Sequence, residues 1–130
     1  MDTKVLDDIL ASLGPMVGTD FNNQILGLID TALLPLTQVG SIKQSTKKIT
    51  ADTKWSEIVN DPPNNHTYSN TDILKGIKSY IYLEVKIMFD PPVSSIVQLM
   101  QQKAEEELWR IREAYEPYIY EVGDADELKL

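Results

Sequence analysis

Hydrophobic residues recur every three or four positions along most of the chain, which is the spacing of one face of an α-helix. The pattern is clearest between residues 74 and 115, where two helical repeats lie on either side of Phe89-Asp90-Pro91-Pro92. The apolar positions of the two repeats are Leu74, Ile77, Ile81, Val85 and Met88, then Val97, Met100, Ala104, Leu108, Ile111 and Tyr115. The pattern predicts two long helices packed back to back as a hairpin.

The residues between the two repeats predict a stiff corner. Two prolines in series cannot continue a helix, and the residue before a proline disfavours helical geometry, so the first helix should end near Phe89. Ser94 or Ser95 is placed to cap the second helix, and Ser95 with Gln98 has the spacing of a capping box.

A short helix is predicted at the N-terminus. Thr3 is placed to cap it, and Gly14-Pro15 should end it, because glycine suits the left-handed position and proline prevents continuation. Its apolar stripe consists of Val5, Leu6, Ile9, Leu10 and Leu13.

A second, longer helix should begin at Asp20 or Thr19 and close at Gly40. Pro35 lies inside this pattern, where it removes one backbone hydrogen bond and clashes with the carbonyl of Thr31, at a cost of about 3 kcal/mol. We therefore expect either a kink near residues 31–34 or an early end. The apolar face consists of Phe21, Ile25, Leu28, Ile29, Ala32, Leu33 and Leu36.

A polar loop is predicted over residues 41–54. It is locally basic through Lys43, Lys47 and Lys48, has few apolar anchors, and has a candidate extended piece at residues 48–50. Loops of more than about 12 residues inside a compact domain are usually functional or disordered. The loop is therefore a candidate for a mobile, functional segment.

A short helix should follow this loop and run to about Val59, with Asp52 or Thr53 as its cap and Trp55 turned toward the core. Residues 60–70 then form a second loop rich in turn-forming residues, which leads into the hairpin.

The C-terminal residues have a different pattern. A proline should end the last helix, and Tyr118, Tyr120 and Val122 then alternate with other residues, which is a strand-like signal. The chain as a whole therefore predicts an all-α fold. We expect a small bundle of four or five helices in residues 1–116, followed by an extended C-terminal arm in residues 117–130.

Composition narrows the class of protein. A chain of 130 residues, 42% of them hydrophobic, can bury one core. The absence of cysteine excludes disulfides, zinc–thiolate sites and cysteine nucleophiles. A net charge of -8 argues against nonspecific affinity for polyanions, although a local basic surface remains compatible with it. No apolar run reaches the roughly 18 residues of a membrane span, and the acidic N-terminal residues predict no export signal.

No motif predicts catalysis, a cofactor or a metal. His66 is the single histidine and lies among turn-forming residues, without a nearby nucleophile or base. Three consecutive glutamates occupy residues 105–107, but helical di-iron sites need a Glu-x-x-His step, which does not occur here. We interpret the triplet as a solvated helix face with Glu107 near an interface. The sequence also lacks a glycine-rich phosphate loop.

Three features are candidates for binding other macromolecules. The arm has the pattern of a strand that joins the edge of another sheet, or of a tail ordered against the last helix. The basic loop either contacts DNA or an acidic surface, or is simply solvated. Trp109 either covers the edge of the bundle or buries against a neighbouring subunit. The candidate partner-binding residues are Tyr118, Ile119, Tyr120, Val122, Leu128, Leu130, Lys43, Lys47, Lys48 and Trp109.

Several short motifs occur together in one known family. They are Tyr80-Ile81-Tyr82-Leu83, Val85-Lys86, Phe89-Asp90-Pro91-Pro92, Ser94-Ser95 and Glu107-Leu108-Trp109-Arg110. Over residues 20–111 the chain resembles the head-tail connector (adaptor) proteins of tailed phages and prophages of Gram-positive bacteria. Pro35 departs from the pattern that this resemblance implies.

The resemblance implies a structural protein of the virion neck, made in the host cytoplasm. Such a protein binds the portal as a ring of twelve copies and links it to a stopper or another neck or tail component. Residues 118–130 would dock on the portal, and genomic DNA would pass through the lumen of the ring; no membrane partner is implied. Composition alone fits an alternative, a small acidic helical phage regulator that sequesters a basic partner.

Overall fold

The computed structural model describes residues 2–14, 19–46, 48–61 and 70–115. Within these ranges it shows five α-helices and one 3₁₀ turn, at Thr19–Phe21. The helices are α1 (Val5–Leu13), α2 (Asn22–Gln38), α3 (Trp55–Ile58), α4 (Asn70–Phe89) and α5 (Ser94–Tyr115). The prediction of a small all-α bundle of four or five helices is confirmed.

The central helix is α4, because α1, α2 and α5 all pack against it. Ile77, Ile81 and Val85 of the predicted stripe are buried, and Tyr80, outside the stripe, is buried as well. The helix α4 is therefore buried on more than one face, as expected for a helix whose apolar residues extend beyond a single stripe. Met88, at the end of the predicted stripe, is exposed instead.

The hairpin corner has the predicted place but a different cap. α4 ends at Phe89, and the amide of Asp90 still donates to the carbonyl of Lys86 at 2.9 Å. α5 begins at Ser94, and the carbonyl of Val93 accepts hydrogen bonds from the amides three and four residues later. Val93 therefore occupies the N-cap position, and the prediction of a serine cap is wrong.

The helix α2 continues through Pro35 to Gln38, so the alternative of an early end is wrong. The interior proline costs about 3 kcal/mol. However, α2 buries Ile25, Ile29 and Leu36 completely, and burial of each such side chain stabilises the fold by about 1.5–3 kcal/mol. The free energy gained by burying this face exceeds the cost of the proline.

Gly40 closes α2 as predicted. Its φ of 89° lies in the left-handed region that favours glycine. The amide of Gly40 donates to the carbonyl of Thr37 at 3.1 Å, and the amide of Ser41 donates to that of Leu36 at 3.0 Å. These two bonds form a Schellman motif, which satisfies carbonyls at the helix end and turns the chain.

The two short helices have other caps than those predicted. Lys4 is the N-cap of α1, and the hydroxyl of Thr3 donates to the side chain of Asp8 instead of capping the backbone. Lys54 is the N-cap of α3, and its amide donates to Oε2 of Glu57 at 2.7 Å. Both predicted caps are therefore wrong, although both helices form.

The loop over residues 41–54 is anchored to the core at two points, contrary to the prediction. Ile42 and Ile49 are both buried. The amide of Lys43 donates to the carbonyl of Ile58 at 2.8 Å, and the amide of Ile49 donates to Oδ1 of Asp30 at 3.1 Å. Residues 48–50 form no strand. Isolated isoleucines in a polar segment carry no periodic signal, which is why the sequence pattern missed these anchors.

Candidate protein-binding surfaces

Large apolar side chains are exposed around the hairpin corner. Exposed fractions are 39% for Met88, 69% for Val93, 43% for Ile96 and 60% for Leu99. Ile96 and Leu99 share one side of α5, because residues three apart on a helix are neighbours. An apolar patch beside a closed core is a typical protein-binding surface.

Trp109 lies further along α5, with 57% of its surface exposed. It lines a shallow depression together with Gln102, Glu105, Glu106 and Arg110. The alternative in which Trp109 covers the edge of its own bundle therefore fails for most of the side chain. An exposed tryptophan rimmed by carboxylates is available to a partner.

A groove lies between α4 and α5, where Gly76 faces α5. It encloses about 440 Å³, and its lining includes Ile73, Gly76, Ile111 and Ala114. Charged residues, among them Lys75 and Arg110, complete the lining. The sequence signal that could have found this groove is the glycine itself, since an isolated glycine inside a helical pattern often has a packing or functional reason.

Glu107 is buried, at 7% exposed, whereas Glu105 and Glu106 are exposed. Its Oε1 receives Arg110 at 3.2 Å and Lys103 at 3.5 Å on the same helix. Glu105 and Glu106 therefore form the solvated face that was predicted, whereas Glu107, which was expected near an interface, is buried beside Gly76 of α4. The available signal was periodicity, since residue 107 lies three positions after the buried Ala104.

Lys43 and Lys48, the two candidate lysines of the 41–54 loop that the structure describes, line different depressions. Lys43 lines a cleft beside Trp55, whereas Lys48 lines two depressions against α2. Lys47 lies outside the described residues. Lys43 and Lys48 therefore do not belong to a single cluster.

The cleft beside Trp55 encloses about 630 Å³ and includes Tyr115, the last described residue. The hydroxyl of Tyr115 donates to the carbonyl of Asn60 at 2.6 Å. Burial, and to a smaller degree the charge of Asp61, raises the pKa of Tyr115 to about 12, so the phenol remains a neutral donor at neutral pH. This bond ties the described end of α5 to the carbonyl of residue 60. The arm candidates Tyr118, Ile119, Tyr120, Val122, Leu128 and Leu130 lie outside the described residues.

The described residues contain no group of three acidic or histidine side chains that could hold a metal ion. His66, for which no catalytic or metal role is predicted, lies outside them. In the same ranges, no helix combines the length and apolar content needed to cross a bilayer.

The comparison with protein families decides the class of protein. The family model described as phage connector protein matches residues 5–118. The chain belongs to the phage connector protein family. It is thus a component of the phage virion with a connector role, in a family that is structural and not enzymatic. No curated protein and no solved structure matches this connector chain.

Proposed function

We propose that the protein is a head-tail adaptor of the virion neck. It binds the portal as a ring, with twelve copies as the expected number, and presents a surface to the stopper or the next tail component. It is made in the host cytoplasm and assembled after the DNA is packaged. The proposal rests on family membership together with the exposed apolar side chains of the hairpin.

The exposed side chains are the observation that carries this proposal. Ile25, Ile77 and Ile81 are fully buried, so the core is well packed. The exposure of Val93, Leu99 and Trp109 is therefore not the result of a poorly packed core. Large apolar groups left in water around a well-packed core favour association, because burying them removes apolar surface from water. Three such groups on one hairpin suit a subunit with several neighbours.

In this proposal the helical core and the C-terminal arm have different roles. Residues 1–116 supply a helical body of fixed shape, and residues 117–130 supply an extended arm. The alternating residues of the arm, from Tyr118 to Val122, are suited to adding a strand to a sheet edge on the portal. Leu128 and Leu130 add apolar contacts at its end.

Lys43, Lys47 and Lys48 are the candidate contacts to a second partner in this proposal, either the stopper or DNA that passes through the ring, and Lys43 and Lys48 would reach it from different depressions. The overall charge of -8 disfavours DNA binding by the protein as a whole. A contact with DNA is therefore local and passing. An acidic regulator, the alternative function, receives no support from the family match.

The test is the mass of the purified protein in solution, alone and after mixing with the portal ring of the same phage. We expect a small species alone and a stoichiometric ring of subunits on the portal. Mass photometry and negative-stain microscopy measure the number of subunits bound. A stable small species that ignores the portal would overturn the proposal and favour a regulator that binds a basic partner.

A further inference from the structure

The helix α5 ends at the cleft beside Trp55. Tyr115, its last residue, lines this cleft, and the Tyr115 hydroxyl donates to the carbonyl of Asn60 at 2.6 Å. Pro117 follows two positions later and has no amide hydrogen for a further helical bond. Because three residues span at most about 11 Å, the Cα of Tyr118 stays within that distance of the Cα of Tyr115. The first residues of the arm therefore begin at the cleft and remain close to it.

Part of the lining of this cleft is apolar. The cleft encloses about 630 Å³, and the apolar side chains that line it beside Tyr115 are Trp55, Val59, Ile73 and Leu74. Trp55 and Ile73 are buried, whereas Val59 and Leu74 are only partly buried and offer apolar surface to an occupant. Covering that surface removes it from water, which favours an occupant with apolar side chains.

The charged residues of the cleft disfavour an acidic occupant. Two carboxylates, those of Asp2 and Asp61, line the cleft together with one ammonium group, that of Lys43. The carboxylate of Asp2 accepts hydrogen bonds from the amide of Ser56 at 3.0 Å and from the hydroxyl of Ser56 at 2.7 Å. A carboxylate has about four acceptor sites, so both acids can also receive a phenol hydroxyl. The cleft therefore suits an uncharged segment that combines apolar surface with hydroxyl donors.

Residues 117–120 have this composition. They read Pro-Tyr-Ile-Tyr, carry no charge, and supply two phenol donors on apolar rings. Glu116 precedes this stretch and Glu121 follows it, so the uncharged part of the arm's start is limited to these four residues. Attachment to α5 gives the stretch a millimolar effective concentration at the cleft of its own chain, which favours it over a segment of a separate molecule.

We propose that residues 117–120 occupy the cleft beside Trp55 of their own chain in the free protein, and that they leave it when the arm binds the portal. The docking stands on the cleft and on the point where α5 ends, whereas the release rests on the proposed function. Because Tyr118 and Tyr120 serve both sites, the docked arm competes with the portal. The portal binds only the fraction of subunits whose arm is released, and its apparent affinity is reduced by that fraction.

A photo-cross-link identifies the occupant of the cleft. Ser56→benzoylphenylalanine places the photoreactive group at an exposed residue of the lining in the full chain, and mass spectrometry locates the peptide to which it couples. We expect coupling to residues 117–120 within one chain. Coupling to residues 62–69 instead, to another chain, or to no peptide overturns the docking. The control is Leu99→benzoylphenylalanine, about 24 Å from Tyr115 along α5, which should not couple to residues 117–120.

Filling the cleft tests the competition. Ser56 lines the cleft, so Ser56→Trp places an indole there, and Ser56→Ala is the matched control because it loses the same hydroxyl bond to Asp2 without adding bulk. Chymotrypsin cleavage after Tyr118 and Tyr120 measures the released fraction, since proteolysis follows the population of the open form when opening is fast.

The expected effect is the same factor in two assays. A minor state of at most about 10% means that Ser56→Trp is cleaved at least about tenfold faster than Ser56→Ala, and that it binds the portal more tightly by the same factor. A gain in affinity distinguishes release of the arm from general damage, which weakens binding. Urea unfolding verifies the fold of Ser56→Trp; if this variant does not fold, the cross-link still decides the docking.

The two parts of the proposal fail in different ways. If Ser56→Trp is cleaved no faster than Ser56→Ala, the docking is overturned. If residues 117–120 couple to the cleft but Ser56→Trp binds the portal no more tightly than Ser56→Ala, the docking stands and the competition is overturned. If the wild type ignores the portal, the proposed function is wrong, and the cross-link and the cleavage rates decide the docking without it.

Discussion

Replacing Asp8 by alanine removes a carboxylate that joins three helices. Asp8 of α1 accepts a hydrogen bond through Oδ2 from Nε1 of Trp55 in α3 at 2.7 Å. The same oxygen forms an ion pair with Nζ of Lys78 in α4 at 3.1 Å, and the hydroxyl of Thr3 also donates to it. Lys78 in turn lies 5.3 Å from the centroid of the Trp55 ring. Trp55 is buried, so its indole N–H loses its partner in the variant.

The magnitude follows from these contacts. A buried donor left without an acceptor costs about 1–3 kcal/mol. The ion pair with Lys78 is partly exposed and adds at most about 1 kcal/mol. We therefore expect Asp8→Ala to lower the free energy of unfolding by about 2–3 kcal/mol. Asp8→Asn keeps an acceptor for the indole and loses only the charge, so it should cost about 1 kcal/mol.

The pH dependence of the Asp8 contribution has a definite sign. Burial raises the pKa of this carboxyl, but the hydrogen bonds from Thr3, Trp55 and Lys78 together lower it by more, so that the pKa lies below its ordinary value of 3.8. A pKa lowered by folding gives stability that is fully present above the unfolded-state value and is lost as the pH falls through the folded-state value. The difference between wild type and Asp8→Asn should therefore be constant from neutral pH down to about pH 5, and shrink below about pH 4.

Urea unfolding followed by circular dichroism measures these differences, provided that the slope of the free energy with urea does not change. Asp7→Asn is the control, since Asp7 is an exposed carboxylate one position earlier on α1 and should change stability by less than about 0.5 kcal/mol. The reasoning is refuted if Asp8→Ala costs no more than the control, or if Asp8→Asn costs as much as Asp8→Ala.

Three further outcomes follow from the same structure. Deleting residues 117–130 should leave helical content and cooperative melting intact, because the described core ends at Tyr115, but should abolish binding to the portal ring; normal portal binding by the truncated protein would remove the arm from the proposal. Tyr115→Phe should lower the free energy of unfolding by about 1–2 kcal/mol, because it leaves the carbonyl of Asn60 without its donor, and a neutral result in urea would show that water replaces the phenol. Gly76→Ala should raise the free energy of unfolding by about 1 kcal/mol, since its Cβ fits without strain; thermal unfolding measures this gain, and a loss would mean that α4 and α5 cannot accept the methyl group.

The hairpin and its corner were predictable from the sequence because their causes are local. Helical periodicity is written into the spacing of Ile77, Ile81 and Val85, and consecutive prolines end a helix whatever surrounds them. The end of α4 at Phe89 and the closure of α2 by Gly40 were found for this reason. The family resemblance, which the match over residues 5–118 confirms, rests on the same local motifs.

The caps were predicted less well, because several residues at each helix start can serve as a cap. The hydroxyl of Thr3 donates a hydrogen bond to the side chain of Asp8, and Val93 occupies the N-cap position that was predicted for a serine. Whether a hydroxyl bonds to a backbone amide or to a nearby carboxylate depends on the positions of the surrounding residues in the folded structure, and sequence spacing does not give those positions.

The sequence alone thus determined the helices, the corner and the class of fold, since each depends on residues within a few positions of one another. Only the tertiary structure decided that α2 runs through Pro35, that Glu107 is buried, and that Trp109 is left in water beside a groove opened by Gly76. These outcomes depend on which side chains of a helix are covered by the neighbouring helices. Burial is a property of the packed arrangement, so the surfaces available to a partner are known only once α4 has been enclosed by its neighbours.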